Sequence, residues 1–371
     1  MITSDLRFGS YVRPCPNSIT LQDIAPAPTP AVPAHEAAAT TTATATATAT
    51  ATVTTTTPAI NDGDELRCAI GEAWTALLLL DVVPYNKDTS LLRFALPPGK
   101  ARLHLPVGAF LLIQHGEVVR PYTSVSSDDD EMPGTFQILV KRYDEWGQRE
   151  CLTTHFLFTK TDHSYKPPGV MSNYLHGLRP GTDVAHFSFS RRCVGSLGQC
   201  LKRPGLKTVT LIAVGVGVAP MVHALRSLLS DVGGGGSMKV VLLYGVRNVC
   251  DILMREQLEA WRQQHAECFS VVYCVGSRWA NVHMGIKTKD AHAPPPLPDG
   301  FAEVADHAEV GWVSEDRIRT HGFPPADDTL IVVCGLPGVY AKLCGRRSEA
   351  GLADGCALKN LGYSDHMVCK L

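Results

Sequence analysis

No apolar run in the 371-residue chain approaches the ~18–20 residues that a helix needs to cross a bilayer, so the sequence carries no transmembrane-helix signal. The 12 cysteines include no CxxC pair and no clustered Cys/His spacing. That pattern speaks against a structural zinc, an iron–sulfur cluster and a secreted disulfide framework, and leaves reduced thiols in an intracellular protein as the expectation. An excess of charge of one sign is missing as well. The formal net charge is -2, which gives no reason to expect nucleic acid or an anionic membrane as the main partner. Position 2 holds Ile2 instead of the glycine that myristoylation requires. Arg7 and Arg13 among serines and threonines faintly suggest a mitochondrial leader, but Asp5 and Asp23 interrupt it. The expected location is cytoplasmic, with mitochondrial import as the alternative. Bulky residues are scarce from 37 to 57, which is almost pure alanine and threonine. Such a stretch has too little apolar surface to offset chain entropy, so residues 1–64 are expected to be a disordered low-complexity tail.

Globular sequence begins near Glu65. Residues 76–83, 91–96, 109–114 and 135–143 are short strand-like runs separated by Pro and Gly turns, which predicts an antiparallel barrel or sandwich. Among them lies RPYTSVSS, starting at Arg120. A strand that ends in an arginine, an aromatic and small hydroxyl residues suits a flavin. Arginine can pair bidentately with a diphosphate, and a tyrosine face can lie on an isoalloxazine ring. An edge strand and its turn would read the same way. GVMSNYLHG, from Gly169, predicts a helix start that offers free backbone N–H groups to a phosphate, or else an ordinary capped helix.

After Lys207 the rhythm changes. Apolar strands at 208–214, 239–244, 270–275 and 329–334 alternate with helical segments at 219–230, 254–264, 314–321 and after Pro337, which predicts an open, mostly parallel α/β sheet. Residues 280–311, rich in proline, are expected to be a surface insertion. Two strand ends carry ligand-type turns, GVGVAPM from Gly215 to Met221 and CGLPG from Cys334. Each alone is weak, because tight strand–helix turns use glycine for steric reasons. The domain boundaries expected are 65–204 for the antiparallel part and 205–371 for the α/β part.

From roughly Glu65 to Leu371 the chain resembles the NADH–cytochrome b5 reductase branch of the ferredoxin-reductase-like flavoproteins. RPYTSVSSDDD is similar to that branch's flavin stretch, GVMSNYL to its phosphate turn and GVGVAPM to its nicotinamide turn. DILMREQLE, CGLPGV and the ending LGYSDHMVCKL match further segments in the same order. The resemblance implies an FAD-binding Greek-key barrel followed by a pyridine-nucleotide domain. Hydride would pass from NADH, or NADPH, to FAD, and electrons would then go singly to cytochrome b5 or a similar haem protein. A monomer is expected.

By position, the resemblance implies that Arg120 holds the FAD diphosphate and that Tyr122 flanks the isoalloxazine. Thr123 would bond near the hydride-accepting nitrogen, with Pro121, Ser124 and Ser126 completing that wall and Lys141 lining the site. Gly169, Val170, Met171 and Ser172 would serve the diphosphate. Gly215, Gly217, Pro220 and Met221 would shape the nicotinamide turn. Cys334, Gly335 and Pro337 would flank the reacting ring, with Thr123 and Cys334 as the catalytic pair. Ser277 and Arg278 stand where the branch usually carries an acidic residue. They suit the 2′-phosphate of NADPH, or form an exposed turn.

The chain also departs from the branch. Val214 and Val216 replace a glycine and a threonine, Pro168 and Val170 replace a glycine and a lysine, and Cys369 and Leu371 replace the terminal aromatics. If a valine occupied a position needing positive φ or close ligand approach, turnover would suffer, and Val216 also removes a hydroxyl that could bond the nicotinamide side. The alternatives are therefore a flavin-binding interaction protein with impaired turnover, or a reductase serving an oxygenase or a quinone.

Overall fold

The computed structural model of the protein describes residues 68–126, 132–144, 168–230, 238–276 and 297–371. The expectations for the tail at 1–64 and for Ser277 and Arg278 fall outside those residues.

Six strands make the first sheet: β1 (Thr75–Pro84), β2 (Thr89–Ala95), β3 (Leu111–His115), β4 (Val118–Tyr122), β5 (Thr135–Lys141) and β6 (Val184–Ser188), in the order β4-β3-β6-β1-β2-β5 and antiparallel throughout. The period-two alternation of β2 and β5 puts Leu92 opposite Ile138 and Phe94 opposite Phe136, all four buried. Just past β4, Ser124 bridges to Ile138 of β5, so the sheet curls until its two edges meet. Helix α1 (Val170–His176) adds Met171 and Leu175 to the same core. Strand β6 is absent from the sequence expectations. Exposed Val184 and His186 interrupt VAHFS, so it lacks a long apolar run, yet it lies between β3 and β1.

Helix α2 (Leu197–Leu201) leads to the second sheet. Its elements are β7 (Thr208–Val214), α3 (Val218–Ser230), β8 (Lys239–Val246), α4 (Arg255–Gln264), β9 (Phe269–Val275), β10 (Ala308–Val310), α5 (Glu315–His321), β11 (Thr329–Cys334), α6 (Pro337–Leu343), α7 (Ala357–Asn360) and β12 (Val368–Lys370). The strands are parallel, in the order β10-β9-β8-β7-β11-β12. The chain steps outward from β7 to β10, then returns to the other side of β7 with β11. The switch point therefore falls between β7 and β11, where an open parallel sheet forms a crevice at its strand carboxyl ends. Apolar groups cover both faces of this sheet, which explains its unbroken hydrophobic runs.

One expectation is corrected here. The 280–311 stretch is not all surface insertion. Phe301 and Val304 are buried in the core, and β10 extends the sheet beyond β9. A three-residue strand is too short to show a period in sequence.

Candidate active site

Gly215 and Gly217 follow β7, and Cys334 ends β11 with Gly335 directly after it, so the switch point brings the two glycine turns together. The approach is close. A Cβ on Gly217 would stand 2.5 Å from the carbonyl oxygen of Cys334, and one on Gly335 would stand 3.2 Å from Cβ of Val214. The left-handed backbone falls on Gly215, at φ 56, whereas Val214 is extended at φ -131 and ψ 123. Val216 is not among the residues with positive φ. Neither valine therefore bears the backbone strain of a positive φ. Val214 instead packs beside Gly245 and Gly335.

Buried Tyr244 braces this turn. Its hydroxyl donates to Gly215 O at 3.1 Å and accepts from Leu253 N at 3.2 Å. Burial, the largest influence on it, pushes this phenol far up, so it stays protonated and keeps its donor. Cys334 also stays neutral. Burial raises its thiol and outweighs the hydrogen bond with Tyr340. A neutral thiol at this place is a packing and positioning group, not a base or nucleophile.

The barrel supplies the opposite wall, and β5 touches the Gly215–Gly217 turn. Arg120 projects into solvent from β4, with Nη1 donating to Val119 O at 2.8 Å. Two residues on, Tyr122 is half-buried, its phenol pushed up to about 12 by burial above all. Tyr143 neighbours it and was not among the expected site residues. Its carbonyl accepts from Gly169 N at 2.8 Å and from Asn173 Nδ2 at 2.8 Å, which docks α1 beside the flavin stretch. Gly169 caps α1 without a side-chain hydrogen bond, so the first-turn amides are not occupied by a cap. A Cβ at Gly169 would stand 2.6 Å from Ser172 Oγ and 3.1 Å from Tyr143 Cβ, so only glycine fits. Exposed apolar groups, Val170, Tyr143 and Leu336, are available for a large ring system to cover.

Some of the expected side chains are taken up by the protein's own packing and hydrogen bonds. Met171 and Met221 have their side chains in the two cores, so only their backbones face the turns. Ser124 is buried with its Oγ 3.0 Å from Ser126 Oγ, and Ser126 Oγ accepts from Gln137 N at 3.0 Å, so the two hydroxyls close the barrel. Pro121 is exposed on β4, and Thr123 is half-buried just past it. Pro220 lies in the first turn of α3 and Pro337 opens α6, both positions where a missing N–H costs nothing.

Lys141 leads to a feature the sequence did not disclose. Its Nζ lies 2.6 Å from Asp88 Oδ2, and Arg247 Nη2 of the second domain reaches the same oxygen at 3.2 Å. Asn86 Nδ2 donates to Asp251 Oδ1 at 3.1 Å, and Arg247 Nε lies 3.5 Å from Asp251 Oδ2. The β1–β2 turn thus grips the segment after β8. Burial pushes the Asp88 carboxyl up, but Lys141, Thr89 and Arg247 together outweigh it and hold the group below its ordinary value. A depressed carboxylate stabilises the fold above its unfolded pKa and loses that contribution as pH falls through the folded pKa. Asp88→Asn should therefore cost about 1–3 kcal/mol at neutral pH. The deficit relative to the parent should shrink once the pH is taken below about 4. Denaturant midpoints at the two pH values check this, and an equal deficit at both would refute it.

The barrel thus presents an exposed arginine and a helix start without a side-chain cap, and the second sheet presents two interlocked glycine turns at its switch point. The chemistry of the first set suits a diphosphate and a flat ring, and that of the second a ligand brought close to backbone. The comparisons with known proteins agree. Residues 77–188 match the oxidoreductase FAD-binding domain family and residues 211–293 the oxidoreductase NAD-binding domain family. The chain is 30% identical over 285 residues to NADH-cytochrome b5 reductase 3 of Rattus norvegicus, covering 72% of this chain and 80% of the relative. It is 27% identical over 308 residues to NADH-cytochrome b5 reductase 2 of Saccharomyces cerevisiae, covering 81% and 83%. In fold it is similar to the cytochrome b5 reductase domain of Ulva prolifera nitrate reductase, with a TM-score of 0.56, 22% identity and coverage of 81% of this chain and 97% of that one. Among the described residues no helix is long and apolar enough to cross a membrane. With a 30% identical relative aligned over most of its length, the chain belongs to the NADH–cytochrome b5 reductase family of FAD- and NAD-binding oxidoreductases.

Proposed function

We propose that this enzyme takes hydride from NADH and passes electrons one at a time to cytochrome b5 or a closely similar haem protein. The observation that carries the reading is the approach of the Gly215–Gly217 turn to β5, the strand to which Ser124, just past the Arg120–Tyr122 stretch, is bridged. When bound there, FAD supplies the exchange between a two-electron donor and a one-electron acceptor. The chain's own residues have simpler tasks. Arg120 and the first-turn amides of α1 hold a diphosphate, while the Ser172 hydroxyl, donating to Gly169 O at 3.0 Å and accepting from Tyr143 N at 3.2 Å, shapes the turn. Tyr122 and Tyr143, neutral phenols at working pH, offer flat apolar faces, and the Thr123 hydroxyl hydrogen-bonds the ring edge. The Gly217–Cys334 approach lets a nicotinamide reach contact distance, and Cys334, Gly335 and Leu336 exclude water from its far side. Hydride transfer between two aligned rings needs no acid–base dyad from the protein.

An anaerobic titration of the FAD-loaded protein with NADH and, separately, NADPH tests this. About one equivalent of NADH should bleach the flavin band, and oxidised cytochrome b5 should restore it. Preferential bleaching by NADPH would assign Ser277 and Arg278 to a 2′-phosphate. A band that neither nucleotide bleaches would overturn the reductase reading in favour of a flavin-binding interaction protein. A band that ferric cytochrome b5 cannot restore, but a quinone can, would overturn the acceptor.

A further inference from the structure

The C-terminal strand holds a feature that neither the flavin wall nor the nucleotide turn uses. Cys369, in β12, is 3% exposed and stands where the branch carries an aromatic. Its Sγ lies 3.3 Å from Oγ of Ser196, the residue that caps α2. One helical turn further, Cys200 packs against the core that contains Cys369, near enough for the two thiols to shift each other's protonation. A third contact comes from the same side of the connection. Arg203 donates to His366 O at 2.8 Å and to Thr329 O at 2.6 Å. Ser196 and Cys200 are spaced i and i+4 on α2 and Arg203 lies just beyond it, so this short connection is laid against β11 and β12. The two thiols are unequal. Cys200 is half-exposed and Cys369 is buried, so a small oxidant reaches Cys200 first. The hydrogen bond from Cys369, and after it the charge of Arg203, draw the Cys200 thiol down despite burial, which favours its thiolate.

We propose that Cys200 and Cys369 form a peroxide-oxidisable thiol pair, with Cys200 as the attacking sulfur and Cys369 as the resolving one, whose disulfide staples the C-terminal strand to the connection between the two domains. The Cys200 thiolate attacks one oxygen of a hydroperoxide, the O–O bond breaks, and water (or an alcohol) leaves once protonated, which makes a sulfenic acid. The Cys369 thiol then gives up its proton and attacks the Cys200 sulfur. The S–O bond breaks, water leaves, and the disulfide forms. Two thiols are oxidised and one peroxide is reduced. The staple lies two residues from the chain end, where Leu371 N donates to Val333 O at 3.0 Å and the Tyr340 hydroxyl bonds the Leu371 carbonyl. Tyr340 is also the hydrogen-bond partner of Cys334. Oxidation thus adds a covalent tie to a three-residue edge strand held by its ladder with β11 and by the Tyr340 and Lys370 hydrogen bonds, and it does so next to the nicotinamide wall.

The FAD-loaded protein is treated with one equivalent of hydrogen peroxide, and its cysteines are mapped by peptide mass without reduction. The expected product is a linked pair of peptides carrying Cys200 and Cys369, lighter by two hydrogen atoms, with a thermal midpoint raised on the order of 5–10 °C. Cys369→Ser should abolish both the link and the shift, and should leave a Cys200 sulfenic acid that dimedone traps. Exposed Cys250 serves as the internal standard. If Cys200 oxidises no faster than Cys250, or if the linked peptide is absent while Cys200 goes on to sulfinic acid, the pair does not act as a switch and the proposal fails. A link between Cys200 and any other cysteine overturns it equally.

Discussion

Gly217→Ala should lower the rate of nicotinamide-to-flavin hydride transfer on the order of 100-fold while leaving FAD bound. The added methyl would stand 2.5 Å from the Cys334 carbonyl oxygen, 2.8 Å from its carbon and 3.2 Å from Gly335 N. All three are backbone atoms, and no side-chain rotation relieves them. One of the two turns must therefore move by about an ångström, and a displacement of that size at a reacting centre costs around two orders of magnitude. The flavin stretch lies on a different domain, so the flavin absorbance should survive. Gly215→Ala is the internal control. Nothing lies within 4 Å of its added methyl, but the substitution forces an L-residue into φ 56. That strain costs roughly 1–2 kcal/mol, and the effect should fall on stability more than on hydride transfer. Stopped-flow reduction under anaerobic conditions separates the two. If Gly217→Ala reduces its flavin at the parental rate, the approach of the two turns has no part in aligning the rings.

Phe187→Ala should destabilise the barrel by about 3–5 kcal/mol, a large share of the ~5–15 kcal/mol that holds a typical domain folded. Phe187 is fully buried on β6. Its ring meets that of Phe94 edge-on, with centroids 4.9 Å apart at 69°, and that of Phe136 with centroids 5.3 Å apart at 85°. Removing it opens a void at the centre of an aromatic triad and forfeits two edge-to-face contacts. The thermal midpoint should fall by roughly 10 °C. Bound flavin should be lost at temperatures where the parent keeps it, because β6 orders β3 and, through it, the Arg120 strand. Phe187→Leu, which keeps most of the volume, should recover the greater part. A midpoint within about 1 °C of the parent for the alanine variant would mean that β6 is not part of the barrel core.

The two substitutions probe opposite sides of what could be read from sequence. Period and punctuation alone located β1, β2, β5, β7, β8, β9, β11 and the long helices to within a few residues, because each carries its own alternation, apolar run or cap. The RPYTSVSS, GVGVAPM and CGLPG turns are equally local signals, so the candidate ligand turns and their order along the chain were legible without a structure. What escaped depends on partners distant in sequence. Strands β6, β10 and β12 are too short or too mixed to carry a period, and they exist because a neighbouring strand offers them a ladder.

The same division holds at the site. The sequence by itself determined that Gly215, Gly217, Cys334 and Gly335 stand at or just past strand ends. Only the order β8-β7-β11 brought the two turns within van der Waals reach and put the left-handed backbone on Gly215, which relieved Val214 and Val216 of the strain expected of them. Asp88, Lys141 and Arg247 meet across 159 residues, and Cys200 meets Cys369 across the whole second domain. Local propensity is set by neighbours along the chain. Ion pairs, thiol pairs and backbone collisions are set by distance in space, and only tertiary packing fixes that.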